Sequence, residues 1–447
     1  MRVFAKVEFE AGLKETVLMP WFGKALRFGS AMLVGGLALI AQPPKITSFD
    51  RAGRFTVTNV LTSGVATFQT AGSLSGPWTS KLNLFTTNRS TQASLTLPSG
   101  TQFVRVGAAD ISGTPAGFNN LVGVYGLLST VAGSGNNGTV DANYWQPQFE
   151  GGNATDASLS RPHHAIADRA GNIYIVDKDS HAVLKVTTDG KIHTVAGTHT
   201  GGFNGEGPLP GTNLQLNLPN GLYVRADGQV YILDTGNGRV RRLMTNGVMS
   251  TVFYVGAGNN ISGGRGLWVR DDEALIYFCD GNKLRRWTPA AGVKTVNNGF
   301  TDLGNIALDL QGRLVITDRG ANRVYRLNAD DSLTVIAGNG ETGGGGDGSP
   351  ALSTGLWGVR GVWYLPNGGY VLGTHEGSQL WYVDPVGIIH LLLDGLRSWH
   401  GGDGFYFYDP GLKISEARSV SMSPNGDLLI VENDLGYVRK IQFLPMP

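Results

Sequence analysis

The sequence predicts an all-β chain: a six-bladed β-propeller closed by its own N-terminal strand and preceded by a small β-sandwich. Three observations carry this. A unit of four short strands recurs six times, and repeats of this length mark propellers and solenoids. Glycine supplies 66 of 447 residues, about twice the usual ~7% share, and is dispersed as tight turns require. Alternating and β-rich runs, separated by Gly, Ser, Pro and Asn, leave almost no place for a long helix.

Composition sets the outer limits. A chain that is 41% hydrophobic buries at least one core and is not disordered. With 36 Lys plus Arg against 35 Asp plus Glu, the net charge of +1 gives no electrostatic footprint for nucleic acid. The lone Cys279 excludes an internal disulfide framework and a cysteine zinc cluster.

Residues 1–42 read as a signal or targeting segment. The apolar run Ala31 to Ala41 follows Lys24 and Arg27 and precedes Gln42, Pro43 and Pro44. At about eleven residues it falls short of the ~20 that span a bilayer, and its charge, apolar core and polar exit follow the order of a secretory signal. Cleavage is expected near Ala41, with Met19 as a candidate initiator; a buried strand or an uncleaved anchor is the alternative. No further apolar run of 18 residues follows. The mature chain is therefore expected without a membrane span, in the periplasm or secreted.

Residues 45–113 predict the sandwich, from runs such as Phe55 to Thr58, Val65 to Phe68, Ala93 to Leu97 and Phe103 to Val106. Residues 114–126 read as a linker, and 127–447 as the propeller. The six copies run Gly171 to Asp177, Gly228 to Asp234, Ala274 to Asp280, Gly312 to Asp318, Gly368 to Thr374 and Gly426 to Glu432. Each of these is flanked by a preceding strand, a third strand rich in basic residues and a Thr-Val-rich fourth. Anchor spacings of 57, 46, 38, 56 and 58 show a constant unit joined by variable links. The sixth copy lacks its fourth strand, and Leu127 to Gly133 supplies it from the N-terminal side. A lone four-stranded sheet cannot bury both faces in water, whereas radial stacking into a propeller can.

The runs Gly-Asn-Ile-Tyr-Ile-Val-Asp at 171–177, Arg-Val-Arg-Arg at 239–242, Thr-Val-Ala-Gly at 194–197 and the Gly-Asp-Gly loops resemble NHL repeats over roughly 70% of the chain. The segment Gly76-Pro77-Trp78 with Phe103 to Val106 is similar to the immunoglobulin-like modules that precede propellers in some exported bacterial proteins. These resemblances imply the propeller. They leave function open, because the fold serves lyases, lactonases and binding platforms alike.

Propeller topology places the starts of the first strands at one rim of the central channel, here called the top. His163, His164, Asn220, Arg265, Asn305, Arg360 and Arg418 are thus the candidate ligand-binding residues. His375, His400, Asp403 and Tyr406 join them from loops. Arg265, Arg360 and Arg418 with the histidine pair suit an anionic small molecule, since guanidinium forks match carboxylates and phosphates. The structural alternative pairs these arginines with the acids ending the second strands, Asp177, Asp234, Asp280, Asp318 and Glu432. Resemblance to amidating lyases implies zinc held by rim histidines, but only the first copy offers histidine there and three arginines oppose a dication. Resemblance to lactonase-like propellers implies calcium, which only Asn220 and Asn305 would suit. No cofactor or metal is expected. Nucleophile elbows, phosphate-binding loops and His-Glu-x-x-His helices are absent from the sequence. The reading that follows is an exported platform that binds a peptide, protein or glycan partner through its top face. The alternative is a hydrolase or lyase acting at the channel mouth, metal-assisted and of lactonase or amidating-lyase type.

Overall fold

The computed structural model describes residues 3–5, 44–49, 54–60, 64–73, 79–86, 89–94, 102–110, 124–136, 139–256, 261–397, 399–408 and 413–443. The apolar run at 31–41, Trp78 and residues 95–97 lie outside them. Among the described residues no helix is long and apolar enough to cross a membrane. The chain forms two units, one reaching to Val124 and the other comprising Tyr125–Tyr408 and Leu412–Phe443.

The first unit is a two-sheet sandwich. One sheet orders Val3–Ala5, Gln102–Asp110, Gly64–Ala71 and Thr79–Thr86; the other orders Lys45–Phe49, Arg54–Thr58 and Ser90–Ser94. Alternate residues point inward, as the period of a strand requires. Phe55 and Val57, Ala66 and Phe68, and Val104 and Val106 fill its core.

The second unit is the propeller. Of its six sheets, five contain four strands in consecutive order and the sixth contains three, completed by a strand from the N-terminal side. Their innermost strands are Pro162–Ala167, Gly221–Val224, Leu267–Val269, Leu303–Leu308, Val359–Tyr364 and Ser419–Met422. Each lies beside the next, and Ser419–Met422 returns to Pro162–Ala167 to complete the ring. Tyr125–Ala132 supplies the outer strand of the sixth blade, pairing Ala132 with Val438 and Leu128 with Ile441. Two blades carry an added edge strand, Leu209–Pro210 on the second and Lys413–Ile414 on the fifth.

The hydrophobic core is divided into wedges between neighbouring blades. Val431 and Val438 of the sixth blade pack with Ile175 and Leu184 of the first, and Ile166 and Val176 of the first with Leu222 and Ile232 of the second. Each sheet thus covers a face that its neighbour could not leave in water. The repeated glycine has a backbone cause: Gly171 and its counterpart Gly228 hold φ near 88° and 86° in the turn between first and second strands, a conformation that other residues adopt at a cost.

In five of the six blades an acid ends the second strand and reaches back to the loop that leads into the blade; the fifth blade has Thr374 there. Asp177 accepts the Ser160 amide at 2.8 Å, Asp234 that of Asn217 at 2.8 Å, Asp280 that of Ser262 at 2.7 Å, Asp318 that of Thr301 at 2.8 Å and Glu432 that of Ser415 at 3.1 Å. The predicted pairing of these acids with Arg265, Arg360 and Arg418 does not occur. Two of them instead pair with a cation from the third strand of the same blade: Arg285 stands 2.8 Å from Asp280 and Arg439 2.6 Å from Glu432. Blade one has Leu184 at the corresponding position, and burial pushes Asp177 up to about 7. In blade six burial acts in the same direction, but a hydrogen bond from His400 and the charge of Arg439 hold Glu432 below the usual range.

Arg439 and Glu432 have no side-chain exposure. Removing one member of such a pair leaves the other charge buried and uncompensated. Arg439→Leu is expected to destabilise the propeller by about 3–5 kcal/mol, read as a lowered midpoint in urea unfolding.

Candidate functional site at the channel mouth

The close approach of the six inner strands brings the rim residues together. A Cβ on Gly221 would stand 2.4 Å from the carbonyl oxygen of Arg265 on the next strand, and one on Gly304 2.8 Å from that of Arg360. Only glycine fits such contacts, so the backbones nearly touch and the side chains beside them have little water. His163, His164, Asn220, Asn305, Arg360 and Arg418 are all buried, and the Arg265 side chain is 12% exposed.

Around this mouth runs a belt of alternating charge. Arg265 Nη1 lies 3.8 Å from Asp302, whose other oxygen accepts Arg319 Nη1 at 2.9 Å. Arg319 Nε donates to Glu376 Oε1 at 2.7 Å, and the same oxygen stands 3.0 Å from His375 Nδ1. His375 Nε2 is 2.5 Å from Glu416 Oε2 and 2.7 Å from Arg418 Nη2. Arg418 also lies 3.4 Å from Asp434 and 3.4 Å from His163 Nε2, and His163 Nδ1 meets the side-chain oxygen of Asn220.

The belt sets the protonation of its members. Burial, with the charges of Arg418 and Arg265, holds His163 neutral, well below its ordinary value of 6.5. Burial would lower His375 too, but the carboxylates of Asp434, Glu376 and Glu416 beside it raise it above its ordinary value. Glu376 and Asp434 are held far below the carboxylate range despite their burial, chiefly by His375.

Arg360 stands apart. Its Nε and Nη1 are buried without a hydrogen-bond partner among the described residues. Burial and the neighbouring guanidinium groups of Arg418, Arg265 and Arg319 push it well below its usual range. On the adjacent strand both polar atoms of the Asn305 side chain are equally unpartnered. An anion entering here would meet donors already oriented and already dehydrated.

His375, Glu416 and Asp434 are the one group among the described residues whose ligand atoms, all within 4.8 Å of one another, could surround a metal ion. The Arg418 guanidinium stands beside the cluster, 2.7 Å from His375 and 3.4 Å from Asp434.

Of the loop candidates, His375 joins the belt. His400 stacks on Tyr437 with ring centroids 3.4 Å apart, and the exposed Asp403 accepts Arg439 at 2.7 Å, so both are tied to blade six rather than to the mouth. Tyr406 bridges to Leu127 on that blade's outer strand, and the aromatic run packs there, with Phe407 against Tyr125. Asp302, Arg319, Glu376, Glu416 and Asp434 were missed from the sequence. One signal marked two of them: the residue two places beyond the end of the second strand is acidic in blades one, five and six, as Asp179, Glu376 and Asp434.

No protein-family profile matches the chain. Human teneurin-4 is 27% identical over 185 residues, 38% of this chain and 6% of that protein, so the chain spans a small fraction of the curated relative it matches. Among solved structures, a protein of unknown function from Bacteroides thetaiotaomicron superposes with a TM-score of 0.55 at 14% identity, covering 90% of this chain and 98% of that one. Auxiliary nutrient binding proteins from B. thetaiotaomicron and Bacteroides ovatus superpose with TM-scores of 0.52 and 0.51, each at 13% identity. They cover 90% and 87% of this chain and 98% and 94% of theirs. At these identities the likeness is one of fold: this chain is a β-propeller protein with an additional β module.

The sign of the His375 shift gives a pH dependence. A raised folded value contributes stability that is complete below the ordinary 6.5 and is lost as pH rises through the folded value. The thermal midpoint of the wild type is expected to exceed that of His375→Gln most at about pH 6, and the difference to shrink by about pH 9, as followed by calorimetry.

Proposed function

We propose that this protein is an exported binding propeller of the NHL type, whose channel mouth holds the anionic group of a peptide, protein or glycan ligand. The observation that carries the reading is Arg360, a buried guanidinium whose Nε and Nη1 have no hydrogen-bond partner among the described residues and on which the charge of Glu376 acts only from beyond ion-pair distance. An unpaired buried charge is costly to the fold, and a ligand carboxylate or sulfate would offset that cost while gaining a bidentate partner. Arg265 and Arg418 are committed to acids of the belt, so Arg360 is the guanidinium with capacity to spare, and Asn305 offers an amide beside it. The fold likeness to auxiliary nutrient binding proteins supports capture of a nutrient-derived ligand outside the cell, in keeping with a cleaved segment ending near Ala41.

A reaction at the same mouth is the second reading, favoured by the neutral His163 imidazole beside Arg418. Turnover of a lactone or ester that disappears in His163→Ala would replace the binding-only reading.

Arg360→Met separates ligand binding from stability. In the absence of ligand its thermal midpoint is expected to rise, reflecting relief on the order of 1 kcal/mol or more from removing an uncompensated buried charge. The stabilisation of the wild type by sulfate or galacturonate is expected to vanish in the same variant. A variant that is destabilised yet still stabilised by both anions would overturn the proposal.

A further inference from the structure

The lower end of the channel has the opposite character. Three to four residues beyond the rim, the inner strands present Tyr223, Trp268, Trp363 and Tyr364, with Leu310 at the lip, around a cavity of about 210 Å³. The remaining lining is aliphatic apart from His164. Leu310 is 56% exposed and the four aromatic residues are partly exposed, so the cavity is open to solvent. His164 is 5% exposed, and its Nδ1 has no hydrogen-bond partner among the described residues. Trp363 makes no ring contact among them either, unlike Trp268 and Tyr364, which lie against Tyr277 and Tyr370.

We infer that this cavity is a second ligand site, for an uncharged planar aromatic molecule that carries one hydroxyl or similar group directed at His164. Size, lining and polarity argue together. An apolar cavity of roughly 150 Å³ takes a benzene molecule, so about 210 Å³ has room for a substituted or two-ring compound. Indole and phenol faces stack on a flat ring in offset or edge-to-face geometry. A sugar would also stack, but its ring of hydroxyls needs several buried partners, and beside His164 the lining offers only the hydroxyls of Tyr223 and Tyr364 and the indole N–H groups of Trp268 and Trp363, all on partly exposed side chains. An ionised ligand would lose its hydration with no opposite charge to replace it. The imidazole is neutral, because burial lowers His164 to about 4, and it can give or take a single hydrogen bond. The unpartnered Nδ1 is accounted for by that bond.

This site is independent of the anion-binding mouth and does not rest on it. The experiment is calorimetric titration of the full chain with 2-naphthol, naphthalene, 2-naphthoate and galactose. Saturable binding of 2-naphthol, weaker binding of naphthalene and none of galactose or naphthoate is expected. Trp363→Ala, at a partly exposed position that tolerates truncation, is expected to weaken 2-naphthol binding by about tenfold or more. His164→Leu is expected to abolish the preference for 2-naphthol over naphthalene. Arg360→Met is expected to leave 2-naphthol binding unchanged, which separates failure here from failure at the mouth. No binding of 2-naphthol, binding insensitive to Trp363→Ala, or stronger binding of galactose or naphthoate would each overturn the inference.

Discussion

The contact on which the rest of this propeller depends is the approach of six inner strands around one axis. Gly221 and Gly304 leave no room for a Cβ against the next strand's carbonyl, and side chains elsewhere add polar links across the same seam. Thr317 Oγ1 donates to the Arg360 carbonyl at 2.6 Å, and Ser421 Oγ to that of Ala165 at 2.7 Å, joining blade four to five and six to one. With backbones this close, the rim side chains cannot lie flat along the ring. They converge over the channel, where water is scarce and each charge must find a partner or remain costly.

Two electrostatic systems answer that demand at different radii. Farther out, the carboxylates at the ends of the second strands organise the loop leading into each blade, and third-strand cations such as Arg285 and Arg439 neutralise two of them. At the mouth the belt from Arg265 to Arg418 links blades three to six through Asp302, Arg319, Glu376 and His375. The two systems meet at Asp302, whose amide donates to Asp318 at 2.9 Å while its carboxylate takes Arg265 and Arg319.

Much of the fold was legible because propeller grammar is local: a glycine before the second strand and an acid at its end, each present in five of six copies, stand at a fixed offset around a short apolar run. The ring closure followed from the missing fourth strand of the sixth copy, and Tyr125–Ala132 fills it. The partners of the rim arginines were not legible. Position along a strand says that Arg265 and Arg418 reach the rim, but their acids, Asp302, Glu416 and Asp434, come from loops whose course depends on tertiary packing. Likewise, the run Phe405 to Tyr408 reads as apolar and near the top, whereas only the structure places Tyr406 against Leu127. The aromatic cup was overlooked because Tyr223, Trp268 and Trp363 look like ordinary strand residues until six strands are seen end-on.

The polarity of the channel follows from one strand geometry read twice. At its upper end each inner strand begins in the gap between lead-in loops, where backbone amides and loop acids can satisfy a charged side chain. At its lower end the strand enters a tight turn whose polar groups bond to one another, as Asp168 does to the amides of Ala170 and Asn172 at 2.9 Å, leaving few donors or acceptors for the channel. His163 and His164, consecutive in sequence, sit on either side of that divide: the first is tied into the belt through Arg418 and Asn220, the second faces the aromatic cup.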